Sequence, residues 1–255
     1  MKNILLLILL SCFGFCATNH RIYSNTSVYS NLKIYGEQQF VVDCLVVGGG
    51  GGGGTRDGGG AGAGGVVYQP SFVVANNYSY PITIGAGGSG GVLSWESGGI
   101  GGTSSFSTVI ATGGNGSGAN LGDGWGGTGG ASAQGFSGIA HVPPQGSYVG
   151  GGGGGSAAAA TSENGGDGLQ YSISGTPTYY AGGGGGSLGS GGLGSSTYGG
   201  GANGHQWYGQ AGNSGVVIIR YLTLGAPVCT GGTTVTTFPP YTIHTFTSSG
   251  TFTVN

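Results

Sequence analysis

Val42-Asp-Cys-Leu-Val-Val47 runs without a break into seven consecutive glycines, Gly48–Gly54, and the reading of that junction decides the fold. The first half is apolar and largely β-branched, the pattern of a strand buried on both faces. The second half carries no side chains. Alone, such a run is a flexible linker. In an α-helix each glycine costs about 1 kcal/mol relative to alanine, and as a lone strand it has nothing to pack. The remaining ordered option is a bundle of extended helices with three residues per turn. Without Cβ atoms these helices can approach closely, and each N–H and C=O can find a partner in an adjacent backbone. Uninterrupted glycine then suits the centre of the bundle. Segments bearing Ser, Ala, Asn or Tyr on one side suit its surface. Ordering glycine is entropically costly, so the helices need many mutual hydrogen bonds and fixed ends.

The rest of the chain repeats this junction. All but six of the 67 glycines lie within residues 48–215, the exceptions being Gly14, Gly36, Gly225, Gly231, Gly232 and Gly250. Further runs occur at Gly150–Gly155 and Gly182–Gly186, with no strict collagen period. Short β-rich pieces supply the fixed ends: 65–68, 71–74, 80–84, 104–111 and Val216-Val-Ile-Ile-Arg-Tyr221. No stretch has helical periodicity or caps. The expected fold is mainly β with a polyglycine-II/PPII-like helix bundle and few or no α-helices outside a signal peptide.

Glycine at this level often marks disorder, but aromatics at 10% and hydrophobics at 37% allow a buried core. Charged residues make up only 5% and net charge is −2, which argues against a nucleic-acid footprint. Lys2, the apolar run Ile4–Leu10 and the small residues Ser11, Gly14 and Ala17 read as a signal peptide over 1–17, too short to span a bilayer. A linker over 18–28, a glycine-rich module over 29–222 and a C-terminal segment over 223–255 follow. In an oxidising compartment the two cysteines outside the leader, Cys44 and Cys229, are expected to form a disulfide, within one chain or between subunits, the alternative being two buried free thiols.

The C-terminal segment His244-Thr-Phe-Thr-Ser-Ser-Gly-Thr-Phe-Thr-Val-Asn255 alternates about Ser-Ser-Gly. Pairing Thr247 with Thr251 makes a β-hairpin with Gly250 at positive φ. His244, Phe246, Phe252 and Val254 then form one face, and threonines form the other. Residues 32–43 repeat the pattern without a gap, with Ile34, Phe40 and Val42 in the places of Phe246, Phe252 and Val254. The chain thus reads as one module plus the opening hairpin of a second. An apolar hairpin needs a docking place. Docking on the next copy would assemble subunits head-to-tail.

The order of these pieces carries a resemblance. The hairpin and strand lead into a glycine run. Gly64-Gly-Val-Val-Tyr68, Pro81-Ile-Thr-Ile-Gly-Ala-Gly-Gly88, Thr103-Ser-Ser-Phe106 and Ala111-Thr-Gly-Gly114 follow, and Gly215–Tyr221 closes the set. Over residues 29–255 this is similar to the glycine-rich domain of phage tail-fibre and adhesin proteins and of bacterial and viral surface proteins. The resemblance implies strands around a polyglycine core, a role in fibres or recognition, and no catalysis. The signal peptide departs from the phage members.

Signs of chemistry are sparse. The glycine run satisfies a dinucleotide fingerprint trivially, without the helix and the acid that such a site needs. The seven acids are scattered, and the four histidines lack ligand spacing. No cofactor or metal is expected. The recognition candidates are aromatics in glycine-rich loops: Trp95, Trp125, Tyr179, Tyr180, Trp207 and Tyr208, with Tyr148 and Tyr198 nearby in type. The expectation is a secreted, non-enzymatic structural protein, a subunit of an extracellular fibre or matrix that pairs with itself through the C-terminal hairpin. The alternative is a surface adhesin that binds a glycan or receptor through the loop aromatics. No nucleic-acid partner and no membrane span are expected.

Overall fold

A computed structural model describes residues 40–92, 95–120, 128–139 and 149–255, all within the compact unit Glu37–Asn255. The expected signal peptide and linker, most of the first hairpin copy, and Trp125 and Tyr148 lie outside the described residues. No α-helix occurs among the described residues, and the strands pair antiparallel throughout.

Twelve strands follow in chain order: β1 (Phe40–Val47), β2 (Val66–Val74), β3 (Tyr78–Thr83), β4 (Ser104–Phe106), β5 (Val109–Ala111), β6 (Leu169–Tyr171), β7 (Thr178–Tyr180), β8 (Val216–Leu222), β9 (Cys229–Thr230), β10 (Thr234–Phe238), β11 (Tyr241–Phe246) and β12 (Gly250–Val254). They build one sheet in the order β10-β11-β8-β1-β2, a second in the order β5-β4-β3-β12-β9, and the small pair β6-β7. Burial on both faces explains why β1 is apolar apart from Asp43. Val42, Cys44 and Val46 enter a core with Ile219, Phe106 and Phe252, between the two large sheets. Leu45 and Val47 enter a second core on the opposite face, with Ile218, Ile243 and Tyr180. Both faces of the β1–β8 pair are therefore buried, as the sequence predicts for Val42–Val47 and Val216–Tyr221.

The glycine run leaves β1 and passes among segments from across the chain. Its donors rotate with a period of three. Gly48 and Gly51 donate to the carbonyls of Gly65 and Gly62, Gly49 and Gly52 to Gly102 and Gly99, and Gly50 and Gly53 to Asn213 and Gln210, all at 2.8–2.9 Å. Its carbonyls accept from three other segments: Gly49 and Gly52 from Gly114 and Ser117, Gly50 and Gly53 from Gly88 and Gly91, and Gly51 from Ala202. Six neighbours thus surround one run, and every glycine from Gly48 to Gly54 is buried. The approach is too close for side chains: a Cβ at Gly50 would fall on the carbonyl of Gly200. An outer segment, Gly85–Gly91, repeats the period in its exposure. Gly85, Gly88 and Gly91 are buried, while Ala86 and Ser89 face outward.

The C-terminal segment corrects the sequence reading. Residues 241–246 and 250–254 do not pair with each other. β11 lies between β8 and β10, with His244 opposite Ile219, and β12 lies between β3 and β9, with Phe252 opposite Tyr80. Ser-Ser carries the chain from one sheet to the other, and Gly250 opens β12 without the positive φ expected of it. The alternation itself is right. Phe246, Phe252 and Val254 enter the core between the sheets, because strands on facing sheets present the same inward face as strands in one hairpin. Residues 65–68 and 71–74, read as separate pieces, form one strand.

If backbone packing holds the glycine segments, Gly50→Ala should lower unfolding free energy by about 3 kcal/mol or more, because backbone must move to admit the methyl. Ala86→Ser, on an outward position, should change it by less than about 0.5 kcal/mol. Chemical denaturation of the two variants measures the contrast.

Candidate functional site

Two regions gather the residues singled out in the sequence: the inward face of the C-terminal strands, and the loop tips where glycine segments turn.

At the first, His244 is 1% exposed. Its Nδ1 lies 2.6 Å from the carbonyl oxygen of Gly231, and its Nε2 lies 2.9 Å from the hydroxyl of Tyr221 on β8. A carbonyl only accepts, so Nδ1 carries the proton and Nε2 accepts from Tyr221. Burial holds the imidazole below its usual pKa, opposed by the Gly231 bond. The titratable groups of the surrounding core are Tyr221, Tyr80, Cys44 and Cys229, none of them a carboxylate. Burial also raises the Tyr221 hydroxyl. On the other face of the same sheet, Asp43 and Arg220 pair at 2.9 Å. The Arg220 guanidinium stands 4.6 Å from the ring centre of Tyr241, the first residue of β11, and Asp43 accepts the N–H of Ser71. This clasp ties β1, β2, β8 and β11 together. Nothing in the spacing of Asp43 and Arg220 announced it; antiparallel register places them opposite each other.

The expected Cys44–Cys229 disulfide is not formed: both residues are free thiols. Cys44 sits at the core from β1, in one sheet, and burial pushes its pKa up to about 12. Cys229 borders that core from β9, in the other sheet, and is half-buried, with its thiol also raised by burial. Each cysteine packs as a small apolar residue.

At the second region, the turns at 55–57, 95–97 and 205–208 meet. Thr55 N–H donates to the Glu96 carbonyl at 3.1 Å, and Gly209 N–H donates to Gly91 at 2.9 Å. Trp95 is 44% exposed and Trp207 76%. The Arg56 guanidinium lies 4.0 Å from the Trp95 ring centre, and the His205 ring stacks on Tyr208 at 4.5 Å. Arg56, Asp57 and Trp95 hold φ values of 51°, 56° and 73°, a conformation that costs non-glycine residues energy and collects at functional turns. Of the other recognition candidates, Tyr180 is fully buried in the core beneath β1 and β8. Tyr179 is half-buried, and Tyr198 packs against that same core. The structure thus brings Trp95, Trp207 and Tyr208 to one group of turns and removes Tyr180 from the surface. The sequence places Tyr180 in a glycine-rich loop, whereas strand β7 turns it inward against β1 and β8.

No group of three or more His, Cys, Asp or Glu side chains among the described residues could hold a metal ion. No helix among the described residues is long and apolar enough to cross a membrane. With the strand order and the glycine packing in place, the family follows: the profile of the glycine-rich domain matches residues 35–222, well over half of the chain. The chain belongs to the glycine-rich domain family. The match ends at Leu222, the last residue of β8, so strands β9–β12 lie beyond it. Neither a curated protein nor a solved structure matches the chain.

The buried imidazole sets a pH dependence. Its folded pKa is below the unfolded value of about 6.5, so its contribution is fully present above that value and is lost as pH falls below it. Denaturant midpoints should be flat from pH 8 to 7 and should decline toward pH 5. His244→Gln should be less stable at pH 7.5 and should lose most of the decline between pH 6.5 and 5.

Proposed function

We propose that this glycine-rich domain protein is a secreted structural protein, a non-catalytic subunit of an extracellular fibre or matrix that assembles head-to-tail through its C-terminal strands. The observation that carries the reading is the three-residue rotation of hydrogen bonds along Gly48–Gly53. It supports a polyglycine-II bundle, an interior made of backbone rather than of reactive side chains. Such a body offers stiffness and chemical inertness. The sandwich fixes its ends, through β1 on entry and β8 on exit. The C-terminal strands suit subunit pairing because they supply the last two strands at one side of each large sheet while lying outside the family match. Secretion rests on the leader pattern of residues 1–17. Electron microscopy of the native secreted material should find filaments or a regular matrix. Uniformly dispersed monomers at high concentration would refute the reading.

A second reading, a surface adhesin for a glycan or receptor, is favoured by the exposed rings of Trp95, Trp207 and Tyr208 on adjoining turns. Aromatic faces on a rigid support anchor sugars and protein surfaces at low entropic cost. Replacing Trp95 and Trp207 together with alanine should reduce retention on immobilised glycans or cells at least tenfold, with no change in Tm. Unchanged retention would remove the reading.

A further inference from the structure

We propose that the C-terminal arm, residues 223–255, exchanges between copies of this chain, so that strands β9–β12 of one copy complete both sheets of the next. The proposal rests on the self-assembly reading and specifies its partner and its mode. The arm is a separable unit by several observations. It follows the last residue of the family match. It enters through residues 223–228, where Leu224 is 95% exposed and Gly225 takes a φ of 79°. An open groove lined by Val41, Arg220, Leu224 and Ala226 lies beneath this hinge. Among the described hydrogen bonds, those of residues 223–228 stay within the arm itself: Thr223 N–H donates to the Pro240 carbonyl and its hydroxyl meets that of Thr242, Ala226 N–H donates to Thr223, the Cys229 thiol donates to Pro227, and Val228 accepts the N–H of Asn255.

What the arm covers is specific. If it lifted away, β8 would lose the partner of Val217–Leu222, and β3 would lose the partner of Tyr78–Ile82. The core between the sheets would lose Phe246, Phe252 and Val254. Two strand edges and an apolar cleft would open together, on facing sheets. An occupant must supply two extended segments with matching alternation, joined by a short crossover. It must also place an imidazole at the Tyr221 hydroxyl and an aromatic ring under Arg220. The arm of a second copy meets every requirement. Exchange therefore makes the same contacts as the closed form, and the two differ mainly in hinge conformation and in protein concentration. Reciprocal exchange closes a dimer, whereas one-way exchange runs on as a chain.

A disulfide across β3 and β12 records whose arm occupies the site. Ser79 and Thr253 are cross-strand partners with their hydroxyls 3.0 Å apart. The full-length chain carries Ser79→Cys and Thr253→Cys with Cys12→Ser, Cys16→Ser and Cys229→Ser, is oxidised after concentration and size fractionation, and is run on a denaturing gel without reductant. The expected result is a covalent ladder from the assembled fraction. It should collapse with reductant and be absent from each control that carries one of the two introduced cysteines. Assembled material that runs as a cross-linked monomer overturns exchange and leaves assembly to another surface. Covalent dimers without higher rungs support exchange and remove the fibre reading. No assembled fraction at any concentration overturns both. Pro81→Cys with Thr251→Cys, exposed cross-strand partners on β3 and β12, reads the same arm where the first pair fails to fold.

Discussion

The peptide groups of Gly48–Gly53 must all find partners away from water, and the structure depends on how they do so. Six segments supply those partners in rotation. A backbone can have so many backbone neighbours only where no side chains intervene, which is why the run is pure glycine. The requirement passes outward. Each neighbour must bring backbone rather than a side chain to the side that faces the run, but it is free on the other. Gly85–Gly91 meets this with Ala86 and Ser89 turned to solvent. Ser117 meets it differently: its hydroxyl accepts the N–H of Gly54 at 2.8 Å and so ends the run with a side-chain cap.

Hydrogen bonds of this kind add little net stability each, on the order of 1 kcal/mol, and glycine loses the most freedom on ordering. The glycine segments therefore need held ends. β1 delivers the first run from a strand buried on both faces, and β8 takes up the chain directly after 209–215, a segment that hydrogen-bonds to that run. The sheets in turn need the C-terminal strands. β11 pairs with β8, and β12 adds Phe252 and Val254 to the core between the sheets. Glycine segments, sheets and arm are thus linked in sequence, through β1, β8 and the hinge at 223–228.

Much of this was legible in the residues. The β-branched runs at 42–47 and 216–221 announced strands with two buried faces, and the alternation of His244, Phe246, Phe252 and Val254 announced their inward face. The pairing was not legible, because alternation names a face and not a partner. Strands β9 and β10 escaped notice because they are short or exposed: every residue of β10 faces solvent at a sheet edge. The three-residue spacing of Ala86 and Ser89, and of Thr112 and Asn115, was a readable signal for the outer face of the glycine segments. The tip cluster was half legible. Exposed aromatics in glycine loops were the right type, but only the cross-chain bonds between 55 and 96 and between 91 and 209 bring Trp95 and Trp207 to adjoining turns.

The most direct measurement of the central claim is amide hydrogen exchange along Gly48–Gly53, followed by NMR or by mass spectrometry of the peptides that cover it. A run held by six backbone neighbours should exchange as slowly as β1 and β8, through global unfolding. Exchange at the rate of an unstructured glycine peptide would contradict the account, because the run would then be a linker.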